Sequence, residues 1–496
     1  MPSETTSESV ARLARIPAHV RHIHLIGVAG SAMAALAGML AERGLRVTGS
    51  DNQLYEPTAS LLKRLKIEVR HSFDGANLVP PPDLVVVGNV VTRANPEAVA
   101  LLASPIPYVS MPEALWHFFL RDRRVLMVAG THGKTTSTAM MAHVLTAAGR
   151  DPSMLVGGVA RDFNTNYRLG AGADFVIEGD EYDTAFFDKG PKFLHYRAHG
   201  AIITAVEFDH ADIYRDLDHV KSSFRALVEQ MENDRVLVVC ADFAHALDVS
   251  KDAKARRLTF GLTAGDFRAT DVRIDPDGAH FSITRDGKPV AGEIHLPIGG
   301  RMNVANALGV YMLLSEFGVS TEEIARGLCS FSGVARRQEI VGEAAGVTVV
   351  DDFAHHPTAI RVTLEAIAER FAGRRILAAF EPRSNTARRA VFQDGFASAF
   401  DRATRVYLGP VYFKENDPIA PDGRLDTAAL ARAISARGAA AIECESPAAI
   451  LEQMLKELRP GDVALFMSNG PFDNLPRRLH AALKERGVQP KALGEA

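Results

Sequence analysis

The sequence predicts an α/β protein of three domains, built on mostly parallel, doubly wound sheets. Three observations carry that prediction. A chain of 496 residues is too long for a single hydrophobic core and suggests about three. Two short apolar runs, 23–26 and 125–129, pass through glycines directly into segments of helical periodicity. Beyond residue 346, apolar runs at 347–350, 376–380, 405–408 and 462–467 are separated by stretches long enough to hold crossover helices, the pattern of a parallel sheet.

Composition bounds the function. Hydrophobic residues make up 47% of the chain and charged residues 23%, ordinary values for a soluble globular protein. The formal net charge of -4 gives no general attraction to nucleic acid or anionic membrane, and neither is expected as a partner. Cys240, Cys329 and Cys444 are far apart and form no C-x-x-C pair, which argues against a disulfide framework or zinc ribbon and fits a reducing cytoplasm. The first twenty residues lack an apolar core of signal-peptide length, and no run approaches the ~18 apolar residues of a membrane span. The expectation is a cytoplasmic protein with a frayed N-terminus.

The first domain opens with Ile23-His-Leu-Ile-Gly27-Val-Ala-Gly30-Ser-Ala-Met33, a strand turning through glycines into an alanine-rich helix that Gly44 closes. The next strand ends at Asp51, roughly twenty positions beyond the glycines, completing a βαβ nucleotide-binding pattern. The G-x-G-x-x-G fingerprint is incomplete, so a dinucleotide or another diphosphate could sit on this helix end. A further strand over 83–88 ends beside Asn89, at the carboxyl edge where open α/β sheets bind ligands.

The polar stretch 120–124 reads as a hinge into a second domain. There the strand 125–129 runs through Gly130-Thr131-His132-Gly133-Lys134-Thr135-Thr136 into a helix. A tight glycine turn at a helix N-terminus aims unpaired backbone N–H groups at one point, where the helix dipole already favours an anion. Lys134 can reach the β/γ-phosphates and the Thr135 hydroxyl can ligate Mg²⁺. Two residues separate the glycines, fewer than in the common P-loop spacing. Buried strands then end in Glu178-Gly-Asp180-Glu181-Tyr-Asp183 and in Glu207-Phe-Asp209-His210-Ala-Asp212. Any one of these acids alone reads as a cap or surface residue, but the clustered set with Glu178 and His210 suits Mg²⁺ beside a triphosphate.

Alternating residues and Asp-Gly turns between 236 and 295 predict a small antiparallel addition without chemistry of its own. Asn303 and Asn306, three apart on one helix face, offer donor and acceptor together, as an adenine edge requires. In the third domain the polar clusters Asp351-Asp352-Phe-Ala-His355-His356-Pro357, Glu381-Pro-Arg383-Ser384-Asn385-Thr386 and Ser468-Asn469-Gly470 all fall at carboxyl ends of strands and should line one crevice. Isolated, His355 or Arg383 would read as a surface residue; their clustering points to function.

These parts suit a reaction that phosphorylates a carboxylate with ATP and lets an amine displace the phosphate to form an amide. Lys134, Arg337 and Mg²⁺ would offset charge on the transferring phosphoryl group. At this point the residues carry a resemblance. The ordered set Gly27-Val-Ala-Gly30-Ser-Ala-Met33, Gly130 to Thr136, Glu178-x-Asp-Glu-Tyr-Asp183, Asp209-His210-x-Asp212, Asn303-x-x-Asn306, Arg336-Arg337 and Asp351-Asp352-x-x-His355-His356-Pro357 resembles the ATP-dependent Mur ligases of peptidoglycan assembly. Asp180 to Lys189, Lys192 to Tyr196, Glu207 to Ile213, Glu381 to Thr386 and Met467 to Gly470 look most like the recycling subtype, which joins UDP-N-acetylmuramate to the tripeptide L-alanyl-γ-D-glutamyl-meso-diaminopimelate.

The resemblance implies an N-terminal Rossmann-like UDP-binding domain over 1–122, a central P-loop ATPase domain over 123–332 and a C-terminal Rossmann-like domain over 333–496 that binds the peptide and closes on ATP. Gly27, Ala29, Gly30, Ser31, Ala32, Met33, Asp51 and Asn89 would bind the UDP-sugar. Gly130, Thr131, His132, Gly133, Lys134, Thr135 and Thr136 would hold ATP phosphates, with Asn303 and Asn306 on adenine and Arg337 and Asp352 completing the site. Thr135, Glu178 and His210 would ligate Mg²⁺, and Lys134, Glu178, His210 and Arg337 would carry the catalysis. His355, Arg383, Ser384 and Asn385 would recognise the incoming peptide. The resemblance further implies a cytoplasmic enzyme, monomeric or weakly homo-oligomeric.

Two departures from the family pattern stand out. Met302 occupies a position usually held by histidine before the first asparagine, and Arg225, with Lys221 nearby, stands where some sister ligases use a carbamylated lysine; no such modification is expected. Three rival readings stay open: the sister ligase that adds L-alanine to UDP-N-acetylmuramate, an NAD-dependent oxidoreductase built on the first domain, and a nucleotide-gated binding module that forms no amide. The second leaves the phosphate loop idle.

Overall fold

The computed structural model describes residues 3–413, 417 and 419–488. The chain divides into two compact units, one comprising Met1–Glu207, Asp216–Arg268 and Ala307–Gly327, the other Phe208–Arg215, Ala269–Asn306 and Leu328–Ala496.

The first unit contains two sheets. One has five parallel strands in the order Glu68–Arg70, Arg46–Ser50, His22–Ile26, Leu84–Val87, Tyr108–Ser110. The strand order reverses at His22–Ile26, the switch point at which open sheets leave a crevice outside their carboxyl ends. Ile26, Val85, Val87, Ala98 and Leu101 form one core of this sheet. Within it, Leu84–Val87 is an unbroken and fully buried apolar run, as an inner strand of a parallel sheet requires.

The other sheet runs Arg256–Gly261, Val236–Cys240, Gly200–Ile203, Arg124–Ala129, Asp174–Gly179, Ser153–Ala160, Thr165–Arg168. Arg124–Ala129 lies between Gly200–Ile203 and Asp174–Gly179, parallel to both, so the residues after all three strands gather at one edge. Val236–Cys240 and Arg256–Gly261 are also parallel members of this sheet, which corrects the expected antiparallel addition across 236–295. The reason is burial: Leu237, Val238 and Val239 are fully enclosed, and a short helix, Ala244–Val249, provides the crossover. Antiparallel structure is found further on, in the second unit, where Gly278–Arg285 and Lys288–Leu296 pair around Asp286 and Gly287, both at positive φ.

Several contacts join the two sheets of the first unit. A hairpin, Asp183–Ala185 with Asp188–Pro191, carries Phe186 and Phe187 onto the core of the five-stranded sheet. Tyr167 donates its hydroxyl proton to Glu42 Oε1 at 2.8 Å, and Asn166 Nδ2 donates to Ser31 Oγ at 3.2 Å. The N-terminal segment, expected to fray, is instead helical over Ser3–Ala14. Arg12 explains its docking. Its guanidinium donates to Glu113 Oε1 at 3.0 Å, lies 3.5 Å from Asp188 Oδ2 and stacks 4.9 Å from the Phe187 ring, and both carboxylates are enclosed.

The second unit holds a six-stranded sheet in the order Glu339–Ala344, Val347–Asp352, Val463–Met467, Ile376–Phe380, Arg405–Leu408, Ala440–Glu443. All are parallel except the first, which turns back through Ala345 and Gly346 to pair antiparallel with Val347–Asp352. Ile360, Leu364, Phe396 and Leu430 cover one face, and Ile450, Leu475 and Leu479 cover the other.

Cys240 and Cys444 are buried, and burial pushes both thiols up, Cys240 to about 12; Cys329 is exposed. Among the described residues no helix is long and apolar enough to cross a membrane.

Candidate active site

In the first unit, the loop after Arg124–Ala129 has the form expected of a phosphate cradle. Gly130 takes φ +132° and Gly133 φ +81°. A Cβ on Gly130 would lie 2.1 Å from Thr204 Oγ1, so side chains are excluded there. Thr131 N donates to Ala205 O at 2.9 Å, and Thr204 Oγ1 donates to His132 O at 2.5 Å, which ties the loop to the neighbouring strand end. His132 Nε2 is 2.6 Å from Glu207 Oε2. The helix Lys134–Ala147 that follows has no side-chain cap, leaving its first N–H groups for a ligand.

The four carboxylates at the end of Asp174–Gly179 and just beyond it, Glu178, Asp180, Glu181 and Asp183, do not converge as expected. Glu178 and Glu181 turn to the loop: Thr135 Oγ1 donates to Glu178 Oε1 at 3.1 Å, and Lys134 Nζ lies 2.8 Å from Glu181 Oε2 while donating to Gly130 O at 2.5 Å. Asp180 pairs with Lys192 and Asp183 with Lys189, because the hairpin that follows carries those lysines back beside them. Burial would lower the Lys134 ammonium, but Glu181, then Glu178 and Asp180, raise it above its usual value, so it stays charged.

A triphosphate with Mg²⁺ fits what these residues leave open. The Thr131 hydroxyl is buried without a hydrogen-bond partner among the described residues, the helix start is uncapped, and a hydroxyl and a carboxylate, Thr135 and Glu178, stand together as hard oxygen donors.

At the switch point of the five-stranded sheet, Gly27 N and Val28 N donate to Ser50 O, and the helix Ser31–Glu42 again starts without a side-chain cap. Asp51 is turned inward, its Oδ2 accepting from Ala29 N at 2.9 Å and its Oδ1 from Asn52 N. It braces the glycine turn. Asn89 follows the end of Leu84–Val87, at the same carboxyl edge.

His210, Asn303, Asn306, Arg337, Asp352, His355, Arg383, Ser384 and Asn385 belong to the second unit. His210 takes φ +52°, and its N–H donates to Asp209 Oδ1 at 2.6 Å. The strand end 381–386 meets the Asp-His motif: Thr386 Oγ1 donates to Asp209 Oδ1 at 2.9 Å and Asn385 Nδ2 to Asp212 Oδ2 at 3.1 Å. Ser384 Oγ accepts from Ala387 N, which caps its own turn. Asn303 and Asn306 are joined by a 3.3 Å hydrogen bond between their side chains.

Asp352 accepts from Gln338 N, Ala354 N and Thr363 Oγ1, and burial raises its carboxyl above the usual range against the pull of Arg337. The Arg337 guanidinium lies 4.7 Å from the Phe353 ring. Burial lowers the His355 imidazole more than Asp209 raises it, and His355 Nδ1 is 3.0 Å from Phe353 O. Arg383 lies 3.7 Å from Glu381 and against Gly470. Glu381 accepts from Ser468 Oγ at 2.5 Å, and Arg336 Nη2 donates to Ser468 O and Gly470 O at 2.6 Å each.

Sequence reasoning left Glu181 and Glu207 out of the site. Their signal was present, since each belongs to an acidic motif at a strand end, but only the fold shows that they meet Lys134 and His132 of the loop. Lys221, raised only as the lysine near Arg225, is ion-paired with Asp248 at 2.6 Å, as is Arg225 at 2.9 Å.

Three family models match the chain: the Mur ligase family catalytic domain over residues 22–123, the Mur ligase middle domain over 128–314, and the Mur ligase glutamate ligase domain over 336–470. The UDP-N-acetylmuramate--L-alanyl-gamma-D-glutamyl-meso-2,6-diaminoheptandioate ligase of Escherichia coli is 37% identical over 94% of this chain and 98% of its own. A murein peptide ligase structure from Psychrobacter arcticus covers 94% of this chain and 99% of its own, with TM-score 0.70 and 31% identity. A UDP-N-acetylmuramate-alanine ligase structure from Thermotoga maritima covers 94% and 100%, with TM-score 0.77 and 26% identity.

Proposed function

The chain belongs to the Mur ligase family, and on that premise we propose that it joins UDP-N-acetylmuramate to the recovered tripeptide L-alanyl-γ-D-glutamyl-meso-diaminopimelate with ATP. It is an ATP-dependent ligase that forms a C–N bond. A carboxylate oxygen of the muramyl group attacks the γ-phosphorus of ATP, the bond to the β-bridging oxygen breaks, and ADP leaves. The peptide amine then attacks the acyl carbon, phosphate departs with the bonding pair, and the ammonium loses a proton to give the amide.

The observation that carries this reading is the Lys134 cradle with Thr135 hydrogen-bonded to Glu178. Lys134 and the loop N–H groups would stabilise charge on the transferring phosphoryl group. Mg²⁺, held by Thr135 and Glu178, would supply further charge compensation there. The domain boundaries 1–122, 123–332 and 333–496 are supported by the separate spans of the three family models. We assign UDP-sugar contacts to residues 27–33, with Asp51 as the brace of that turn and Asn89 beside it. In the second unit we assign a further Mg²⁺ ligand to His210, adenine contacts to Asn303 and Asn306, phosphate-site roles to Arg337 and Asp352, and peptide recognition to His355, Arg383, Ser384 and Asn385. The reaction places the enzyme in the cytoplasm, where ATP and the UDP-sugar are found.

The alanine-adding reading draws support from the close fold match to the Thermotoga maritima enzyme. The stretches distinguishing the recycling subtype favour the tripeptide: Ser468 donates to Glu381, which lies 3.7 Å from Arg383, a cation suited to a peptide carboxylate. Phosphate release from ATP with UDP-N-acetylmuramate and either L-alanine or the tripeptide decides between them. A higher kcat/KM for the tripeptide is expected; a higher value for alanine would overturn the assignment.

A further inference from the structure

Of the acids following Asp174–Gly179, one is placed where a nucleotide phosphate is expected to act. Glu181 is buried, and its carboxylate sits 2.8 Å from Lys134 Nζ. The same ammonium donates to Gly130 O, so the lysine is folded against the loop that cradles the phosphates. Its neighbours do not share this position, since Asp180 and Asp183 pair with Lys192 and Lys189. Glu178, three residues earlier, is occupied with Thr135 and with Gly157 N at 2.7 Å.

We propose that Glu181 is a positioning residue that acts as a stand-in phosphate: an anion that holds Lys134 in the cradle and gives it up when the triphosphate enters. The inference rests on the reading of this loop as the ATP site. A buried lysine without a counter-ion is costly, and an enclosed carboxylate is poorly screened by water. The pair therefore keeps the loop folded between turnovers, and an incoming phosphate must compete with a fixed carboxylate for the same ammonium. Nucleotide affinity is held below what the bare lysine would give, and the same competition helps ADP leave after the reaction. Binding of ATP is then an exchange of partners on Lys134, in which one anion replaces another.

Glu181→Gln tests this, because the amide keeps the shape and a hydrogen bond but removes the charge. Calorimetric titration with magnesium AMP-PNP should show about tenfold tighter binding than the unmodified protein, the size expected for losing one buried competing charge. Under ligation conditions the KM for ATP and kcat should fall together, as product release slows. The gain should shrink to about twofold or less in a Lys134→Ala background, where no ammonium is left to free. Unchanged or weaker binding in Glu181→Gln, or an equal gain with and without Lys134, overturns the proposal. Should the amide variant fold poorly, Glu181→Asp shortens the reach while keeping the charge. It should bind the analogue more tightly than the unmodified protein and less tightly than the amide pattern predicts; weaker binding there also overturns the proposal. The outcomes separate from failure of the underlying reading: no analogue binding by the unmodified protein rejects the ATP site itself, whereas normal binding that depends on Lys134 but not on Glu181 rejects only the stand-in role.

Discussion

Thr135 Oγ1 and Glu178 Oε1 are 3.1 Å apart, joining the first turn of the phosphate-loop helix to the end of the adjacent parallel strand. The other Glu178 oxygen accepts from Gly157 N at 2.7 Å, so the carboxylate is fixed from two sides. Glu178→Gln should keep this geometry while losing the negative charge a divalent cation needs. The Mg²⁺ concentration for half-maximal ligation should rise at least tenfold, a shift of about 1.4 kcal/mol or more. A Mg²⁺ activation curve checks this, and binding of the UDP-sugar alone should stay within about twofold.

Arg383 passes so close to Gly470 that a Cβ there would lie 2.3 Å from Arg383 Cδ. Gly470→Ala should therefore move the arginine without removing it. The expected result is a five- to tenfold rise in the KM for the peptide, about 1 kcal/mol, with the KM for ATP unchanged. Arg383→Ala should give a larger rise in the same constant, and initial-rate measurements with peptide varied at saturating ATP read both.

Burial pushes Asp351 up to about 6; Arg336, 3.3 Å away, opposes the shift, while Asp352 and Glu339 add to it. In the unfolded chain the carboxyl loses its proton near 3.8. Between about pH 4 and pH 6 the folded state thus binds a proton that the unfolded state has lost, so stability declines as pH rises through that window and levels off above it. Asp351→Asn should remove this decline, worth roughly 3 kcal/mol. The difference between the denaturation midpoints of the two proteins, followed from pH 4 to pH 7, gives the measurement.

Arg12 neutralises two enclosed carboxylates, Glu113 and Asp188, and His195 Nε2 stands 3.0 Å from the latter. Arg12→Ala would leave both acids without their guanidinium, a change that costs about 3–5 kcal/mol when a buried pair is broken. The first unit should lose thermal stability, and proteolysis should cut near residue 14 far faster than in the unmodified protein. The Arg12→Lys variant should recover only part of the loss, because an ammonium cannot bind Glu113 with two parallel N–H bonds.

The strand-glycine-helix units are legible in sequence because each rests on local chemistry: an apolar run, glycines at positive φ and a following helical period. The same logic places Lys134, Thr135 and Glu178. It does not show that Glu178 and Glu181, but not Asp180 and Asp183, face the loop, since that choice depends on the lysines of a hairpin encoded downstream. The antiparallel strand Glu339–Ala344 is also hidden, because its turn is formed by Ala345 and Gly346 and not by an Asn-Gly or Asp-Gly pair. Val236–Cys240 misleads for a different reason: a six-residue helix is a short crossover, so two parallel strands sit as near in sequence as hairpin strands do. Asp51 is found at the expected place, yet its bond to Ala29 N depends on how the next strand end meets the glycine turn.

Of the chain's three thiols, two are enclosed and burial raises both, while Cys329 stands exposed at the end of the helix Thr321–Cys329. The native sequence therefore offers a single reactive handle for a maleimide dye or spin label, with no cysteine to delete first. A probe there lies outside every residue assigned to substrate or nucleotide, so nucleotide titrations can be followed by fluorescence on an otherwise unaltered enzyme.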